Sequence, residues 1–109
     1  MTNVSKIREL NDNFRKHLKG GSALITPGVA AFGAEAVQRI VATIAIYNDF
    51  CKRQNDPHLE HDFGSFEAEG KTLFWKIDYY NLGLDGGSPD PADPTVTSRV
   101  MTIVLAEEY

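Results

Sequence analysis

One stretch restricts this chain more than any other: Lys71–Tyr80 alternates strictly in direction. Leu73, Trp75, Ile77 and Tyr79 fall on one side, and Thr72, Phe74, Lys76, Asp78 and Tyr80 on the other. A period of two belongs to a β-strand with one buried face. Phe63–Ala68 precedes it across Glu69-Gly70, and Gly70 can take a positive φ. The pair therefore reads as a β-hairpin, with the Leu73 set facing the core. Residues 96–106 are rich in Val, Thr, Ile and Met and are apolar on both faces. That suits a central strand, with a helix after Asp93-Pro94 as the alternative.

The first half has helical periodicity instead. Ile7, Leu10, Phe14 and Leu18 recur at steps of three and four, one stripe of an amphipathic helix. Ser5 is its expected N-cap and Gly20-Gly21 its stop, with Lys16, His17 and Lys19 in the last turn, where the macrodipole favours cations. His17 is expected to be a surface residue of that turn. Residues 22–26 read as a short strand, Pro27-Gly28 as a turn, and 29–33 as a small-residue connection. Residues 34–48 form the strongest helix, with Val37, Ile40, Val41, Ile44 and Tyr47 on one face and Ala45 and Ile46 widening it. It should be the buried helix, and it ends at Asn48, Asp49 and then Asn55-Asp56-Pro57. The expected fold is α+β: two N-terminal helices packed on a small, mainly antiparallel sheet of three to four strands, in one domain over residues 1–109.

A length of 109 residues fits one domain, since domains cluster near ~100–150 residues. No apolar run approaches the ~20 residues of a membrane span, and no apolar leader follows Met1. Cys51, the sole cysteine, forms no internal disulfide and reads as a passive packing thiol. These features point to a cytoplasmic protein. The net charge is −4 and the pI is near 5.2. Lys6, Arg8, Arg15, Lys16 and Lys19 make the first helix basic, against Glu9 and Asp12. That is a weak footprint for nucleic acid, and the overall acidity disfavours a dedicated binder.

The acid gathers in two places. Asp56, Glu60 and Asp62 precede the hairpin, and Asp85, Asp90 and Asp93 lie in the Gly- and Pro-rich loop over 81–95. His58 and His61 join the first group, which makes it the densest set of metal-binding and acid–base side chains. The two histidines flank Leu59-Glu60 in a loop rather than one helical face, and no fourth ligand is evident. Loop capping by Asp and His side chains is the plainer reading. Asp62-Phe63-Gly64 matches a kinase tripeptide without the rest of that signature. Asp85, Asp90 and Asp93 do not follow calcium-loop spacing; Asp93 with Thr95 and Asp90 read as turn braces. The glycines match neither a phosphate loop nor a dinucleotide fingerprint, and the serines lack a nucleophile-elbow setting. No cofactor motif is present.

The strings Glu60-His61-Asp62-Phe63-Gly64, Phe74-Trp75-Lys76-Ile77-Asp78-Tyr79-Tyr80, Gly87-Ser88-Pro89-Asp90-Pro91-Ala92-Asp93-Pro94, Arg99-Val100-Met101-Thr102-Ile103 and Ala106-Glu107-Glu108-Tyr109 are similar to a family of short bacterial proteins. It is the domain of unknown function thirty-seven-sixty-eight. The opening Ile7-Arg8-Glu9-Leu10-Asn11-Asp12 is also similar, so the resemblance covers almost the whole chain. The resemblance implies an accessory protein of chromosomes, plasmids or other mobile elements. It also implies an aromatic residue at the His58 position in relatives, which leaves His61 alone for a metal.

Three functions follow as expectations. The first is a non-catalytic protein-binding accessory protein, such as a mobile-element or phage inhibitor of host defence of the anti-CRISPR or anti-restriction type. Its interaction residues would be Asp56, Glu60, His61, Asp62, Asp78, Tyr80, Asp85, Asp90 and Asp93. The second is a small metal-binding or metal-assisted hydrolase domain centred on His61 and Asp62, with Glu60 and with Asp78 brought near by hairpin pairing. The third is a homodimeric structural domain that uses Phe74 and Tyr80 on the non-core sheet face.

Overall fold

The computed structural model describes residues 3–50 and 56–109. Cys51 and Asn55, which carried expectations above, lie outside the described residues. Helix α1 is Asn3–His17, strand β1 is Gly21–Ile25, helix α2 is Pro27–Ala30 and helix α3 is Ala34–Ala45. Strands β2 (Phe63–Ala68), β3 (Lys71–Tyr80) and β4 (Ser98–Leu105) follow, and a 3-10 turn spans Ala106–Glu108. No helix among these is long and apolar enough to cross a membrane.

The four strands form one sheet in the order β1-β4-β3-β2. β2 and β3 form the expected hairpin, in a register that sets Gly64 opposite Trp75 and Phe66 opposite Leu73. β4 is one of the two interior strands, antiparallel to β3 and parallel to β1. The fold is therefore α+β with a mainly antiparallel sheet. The alternation of β3 holds: Leu73, Trp75 and Ile77 are buried, and they face Leu105, Ile103 and Met101 across the ladder. Phe14, Val29, Ile40 and Ile44 close this core from the helices. Full burial of each such side chain contributes roughly 1.5–3 kcal/mol.

Several local expectations change. α1 begins at Asn3, so Ser5 lies in its first turn and is not its N-cap. Its chain reversal starts at Leu18 (φ +53) before Gly20 (φ +91), and the Leu18 N–H donates to the Phe14 carbonyl at 2.7 Å. Residues 27–30 are a helical turn rather than part of a turn and connection, and they seat Val29 in the core. Pro27 stands at the start of that turn, where its missing N–H costs nothing. The Glu108 carboxylate takes the place of a capping side chain. It accepts the Gly28 N–H (3.0 Å), the Thr26 hydroxyl (2.6 Å) and the Leu105 N–H (2.9 Å), tying the end of the chain to α2. The Thr26 hydroxyl first, then the Leu105 N–H, hold this carboxyl below its ordinary value.

α3 stops at Ala45, earlier than its apolar pattern, and leaves Ile46 82% exposed. Arg15 of α1 supplies a physical reason. Its Nε donates to the Ile44 carbonyl (3.3 Å) and its Nη2 to the Tyr47 carbonyl (3.1 Å). A guanidinium on the last carbonyls satisfies groups that another helical turn would have used.

Gly64 shows how tightly the hairpin is packed. A Cβ there would overlap Trp75 Nε1 and approach Tyr47 Cζ to 2.7 Å. Trp75 Nε1 is itself buried, without a hydrogen-bond partner among the described residues. Gly64→Ala is expected to lower stability by roughly 1–3 kcal/mol through overpacking. Urea unfolding followed by Trp75 fluorescence measures it, and an unchanged midpoint would show that the indole can move aside.

Candidate functional site

At one end of the sheet the core face turns polar. Tyr79 of β3 and Arg99 of β4 are cross-strand partners there, and Asn11 of α1 lies over both. Asn11 is fully buried. Its Nδ2 donates to the Tyr79 hydroxyl (2.8 Å) and the Glu60 carbonyl (3.0 Å), and its Oδ1 accepts from Arg99 Nε (2.7 Å). Arg99 Nη2 donates to the Pro91 carbonyl at 2.6 Å, and the guanidinium sits 5.2 Å from the centroid of the Tyr79 ring. The Tyr79 hydroxyl donates to the Glu60 carboxylate at 2.7 Å. Burial, then that bond to Glu60, push the Tyr79 hydroxyl far above its ordinary value, so it stays protonated. Burial also lowers Arg99, against the opposing pull of Tyr79 and Glu60.

Beside this anchor lies His61. Its Nδ1 is 2.9 Å from Asp12 Oδ1, its Nε2 is 3.5 Å from Asp56 Oδ2, and its main-chain N–H donates to Asp56 Oδ1 at 2.9 Å. Its ring stacks on Phe50 with centroids 3.7 Å apart and planes 2° apart. Leu59 (φ +61) and His61 (φ +55) both take left-handed backbone. For non-glycine residues this is uncommon and costs energy, which the surrounding bonds must offset. Asp12 also binds Arg15 at 2.7 Å, and Arg15 lies over the Phe50 and Trp75 rings. Asp12, Arg15, Lys16, Tyr47, Phe50 and His61 line a cleft of about 290 Å³. Asp12 and His61 are an acid–base pair, but Ser, Thr and Cys are missing from the lining among the described residues.

Of the residues singled out from sequence, Asp56, Glu60, His61 and Asp62 share this loop. Asp56 is buried against His61, and Glu60 holds Tyr79. Burial first, then the Glu60 charge, raise the Asp62 carboxyl above its ordinary value. The other acids do not join them. Asp78 faces the opposite side of the sheet and pairs with Lys76 at 3.0 Å, so the expected approach of Asp78 to the His61 group is not found. Asp85 binds the Asn81 amide (2.8 Å), Asp90 accepts the Ala92 N–H (3.1 Å), and Asp93 accepts the Thr95 hydroxyl (2.6 Å) and N–H (2.9 Å). The Thr95 bonds hold Asp93 below its ordinary value. Asp90 and Asp93 brace turns, as read from sequence. Among the described residues, no group of three or more His, Cys, Asp or Glu is arranged to hold a metal ion.

The second candidate surface is on the sheet face away from the helices. Ser22, Leu24, Tyr80, Leu84 and Val100 line an open depression of about 370 Å³ there. Leu24 and Leu84 are more than half exposed and Tyr80 is 36% exposed. Phe74, expected to be part of an exposed contact, is half-buried under Tyr109 and Phe63, with ring centroids 5.4 and 5.3 Å away.

Asn11, Asp12, Arg15 and Arg99 were not singled out as site residues. A visible signal existed for Arg99, a lone cation within an apolar central strand. Asn11 and Arg15 lie one turn apart beside Ile7 and Phe14, and an amphipathic stripe drawn through apolar residues alone passes them by.

Two outcomes test this end of the molecule. Asn11→Ala strands the buried Arg99 Nε, and chemical denaturation should show a loss of roughly 2–3 kcal/mol. Asp62→Asn should raise the melting temperature at neutral pH. A raised carboxyl penalises the folded state in full only above its raised folded value, so the gain should fade as pH falls through that value and be gone once pH drops below the ordinary carboxylate range. A gain that persists in acid would assign it to something other than charge.

A family model described as Protein of unknown function (DUF3768) matches residues 25–108. No curated protein and no solved structure matches the chain. The match takes in β1 from Ile25, every later element through the 3-10 turn, and the His61 loop, while the likeness at residues 7–12 lies outside it. The chain belongs to the DUF3768 family of proteins of unknown function.

Proposed function

We propose that this protein acts without catalysis, by binding another protein on the helix-free face of its sheet. The observation that carries this reading is the apolar depression between Leu24, Tyr80 and Leu84, which no helix or loop of the described chain fills. Exposed apolar side chains that cluster, rather than scatter, mark interaction surfaces. Asp85 follows Leu84 in the same loop, and Asp78 stands two residues before Tyr80 on the same strand face. Asp85 is tied to Asn81 and Asp78 to Lys76, so apolar contact rather than charge carries this surface, and a partner with an apolar anchor fits it. The His61 cleft supports the reading from the other side. Its carboxylates and imidazole are engaged with one another and with the backbone, as in a braced loop. An inhibitor of a host defence system is the specialisation we attach to it.

A photo-crosslinking residue in place of Leu84, used in host cells with the full chain, identifies the partner. The purified partner should then bind Leu84→Asp at least about tenfold more weakly than wild type, the size of loss expected at an interface anchor. Melting temperature should hold, because Leu84 is exposed. No crosslinked partner, or equal binding by the variant, would overturn the proposal. Plating efficiency of phage on hosts that express the chain tests the specialisation, and unchanged defence removes it.

A further inference from the structure

We propose that β1 is the pairing edge of a homodimer, in which two copies join antiparallel, β1 to β1, about a two-fold axis at Ala23. This rests on the sheet's edges and is independent of the protein-binding reading above.

The sheet has two edge strands, and they are treated differently. At β2 the Ile77 N–H donates to the Asp62 carbonyl at 2.8 Å, which fixes the alternation and turns the main chain of Phe63, Ser65 and Glu67 outward. Tyr47 plugs this edge. Its hydroxyl accepts the Ser65 N–H and donates to the Ser65 carbonyl, both at 3.1 Å. Glu67 adds a carboxylate beside it. A further strand could pair there only by displacing Tyr47. Covered and charged edges are how sheets avoid adding strands.

β1 has no such cover. The Arg99 N–H donates to the Gly20 carbonyl (3.2 Å) and the Thr26 N–H to the Ile103 carbonyl (3.1 Å). The parallel ladder between these two bonds turns the N–H and C=O of Gly21, Ala23 and Ile25 away from β4. All five residues of β1 are exposed, and none is charged or a proline. No side chain among the described residues hydrogen-bonds those outward groups.

What selects a second copy over an unrelated strand is self-complementarity. With Ala23 opposite the partner's Ala23, Gly21 falls opposite the partner's Ile25, and both are outward-turned, as an antiparallel hydrogen-bonded pair requires. On the helix-free face Leu24 falls beside the partner's Ser22, large against small. Antiparallel pairing also sets the Lys19 end of one copy's strand at the Pro27 end of its partner's, with Lys19 exposed just before the Gly20 bend. At that Pro27 end the Glu108 carboxylate binds the Gly28 N–H, so a cation of one copy meets an anion of the other. The two-fold axis repeats that pairing at both ends, the mark of an isologous interface. The dimer is one continuous sheet, and the Leu24, Tyr80 and Leu84 depressions of both copies adjoin at the axis.

Light scattering of the full chain from micromolar to near-millimolar concentration, with amide exchange by NMR, tests the proposal. Wild type should double its mass over this range, and the Ala23 and Ile25 amides should gain protection as it does. Ala23→Pro removes an outward N–H without breaking the β4 ladder and should remain monomeric. Lys19→Glu leaves the strand intact and should raise the dimer Kd roughly fivefold to tenfold. A monomeric wild type at near-millimolar concentration overturns the proposal. So does a dimer that leaves the Ala23 and Ile25 amides freely exchanging and that Lys19→Glu does not weaken.

Discussion

The hydrogen bond from buried Arg99 to Asn11 decides how this molecule is put together. A guanidinium removed from water must find acceptors or the fold loses several kcal/mol. Asn11 supplies one from α1, Pro91 supplies one from the loop after β3, and the Tyr79 ring lies against the charge. Because Asn11 also donates to Tyr79 and to the Glu60 carbonyl, the same cluster holds the loop before the hairpin. One helix, two strands and both irregular acidic segments therefore meet at a single polar point. The main chain of Arg99 serves the sheet as well, since its N–H bonds Gly20 as β1 begins. Gly21, its neighbour in the ladder, has no room for a Cβ against the Arg99 carbonyl.

Arg15 repeats the device one turn along α1. It ends α3 by taking the Ile44 and Tyr47 carbonyls, and it binds Asp12, which in turn meets His61. Asn11 and Arg15 thus place polar groups on the face of α1 that packs inward, beside Ile7 and Phe14. Buried polar groups with complete partners restrict geometry more than apolar ones do, because each bond has a direction. The cost falls on the loop: Leu59 and His61 sit in left-handed backbone so that Asp56, Glu60 and His61 reach their partners.

Much of this fold was legible in the sequence, and the illegible parts share a cause. The hairpin, its core face and the interior position of residues 98–105 follow from period-two alternation and from apolar residues on both faces, which are local signals. α1 and α3 follow from helical periodicity, although Ile46 continues the apolar pattern past the point where Arg15 ends the helix. That stop depends on a residue about thirty positions away. α2 was missed because its capping carboxylate, Glu108, is eighty positions from Gly28. The site behaves the same way. The His61 loop was visible as a cluster of titratable side chains, and the turn roles of Asp90 and Asp93 were visible in their short-range partners. The roles of Asn11, Asp12 and Arg99 were not, since the bonds that join Asn11 to Glu60, Tyr79 and Arg99, and Asp12 to His61, span 49 to 88 residues. Local chemistry is readable from order along the chain, whereas bonds that close large loops are not.

The distribution of charge then bears on what this surface could offer a partner. An acidic surface steers a partner only if its carboxylates are free to act outward. Here Asp56 and Glu60 are turned into the polar anchor, Asp93 and Asp90 hold turns, and Asp85 holds Asn81. Their charge is largely spent on internal bonds, and Asp78 is matched by Lys76. The apolar side chains show the reverse arrangement. Leu24, Leu84 and Tyr80 stand exposed on the sheet face that the helices leave open, next to an uncharged and unplugged edge at β1. Where internal bonds absorb the acid and burial does not absorb these apolar groups, contact area and main-chain pairing are what the surface has left to offer a partner.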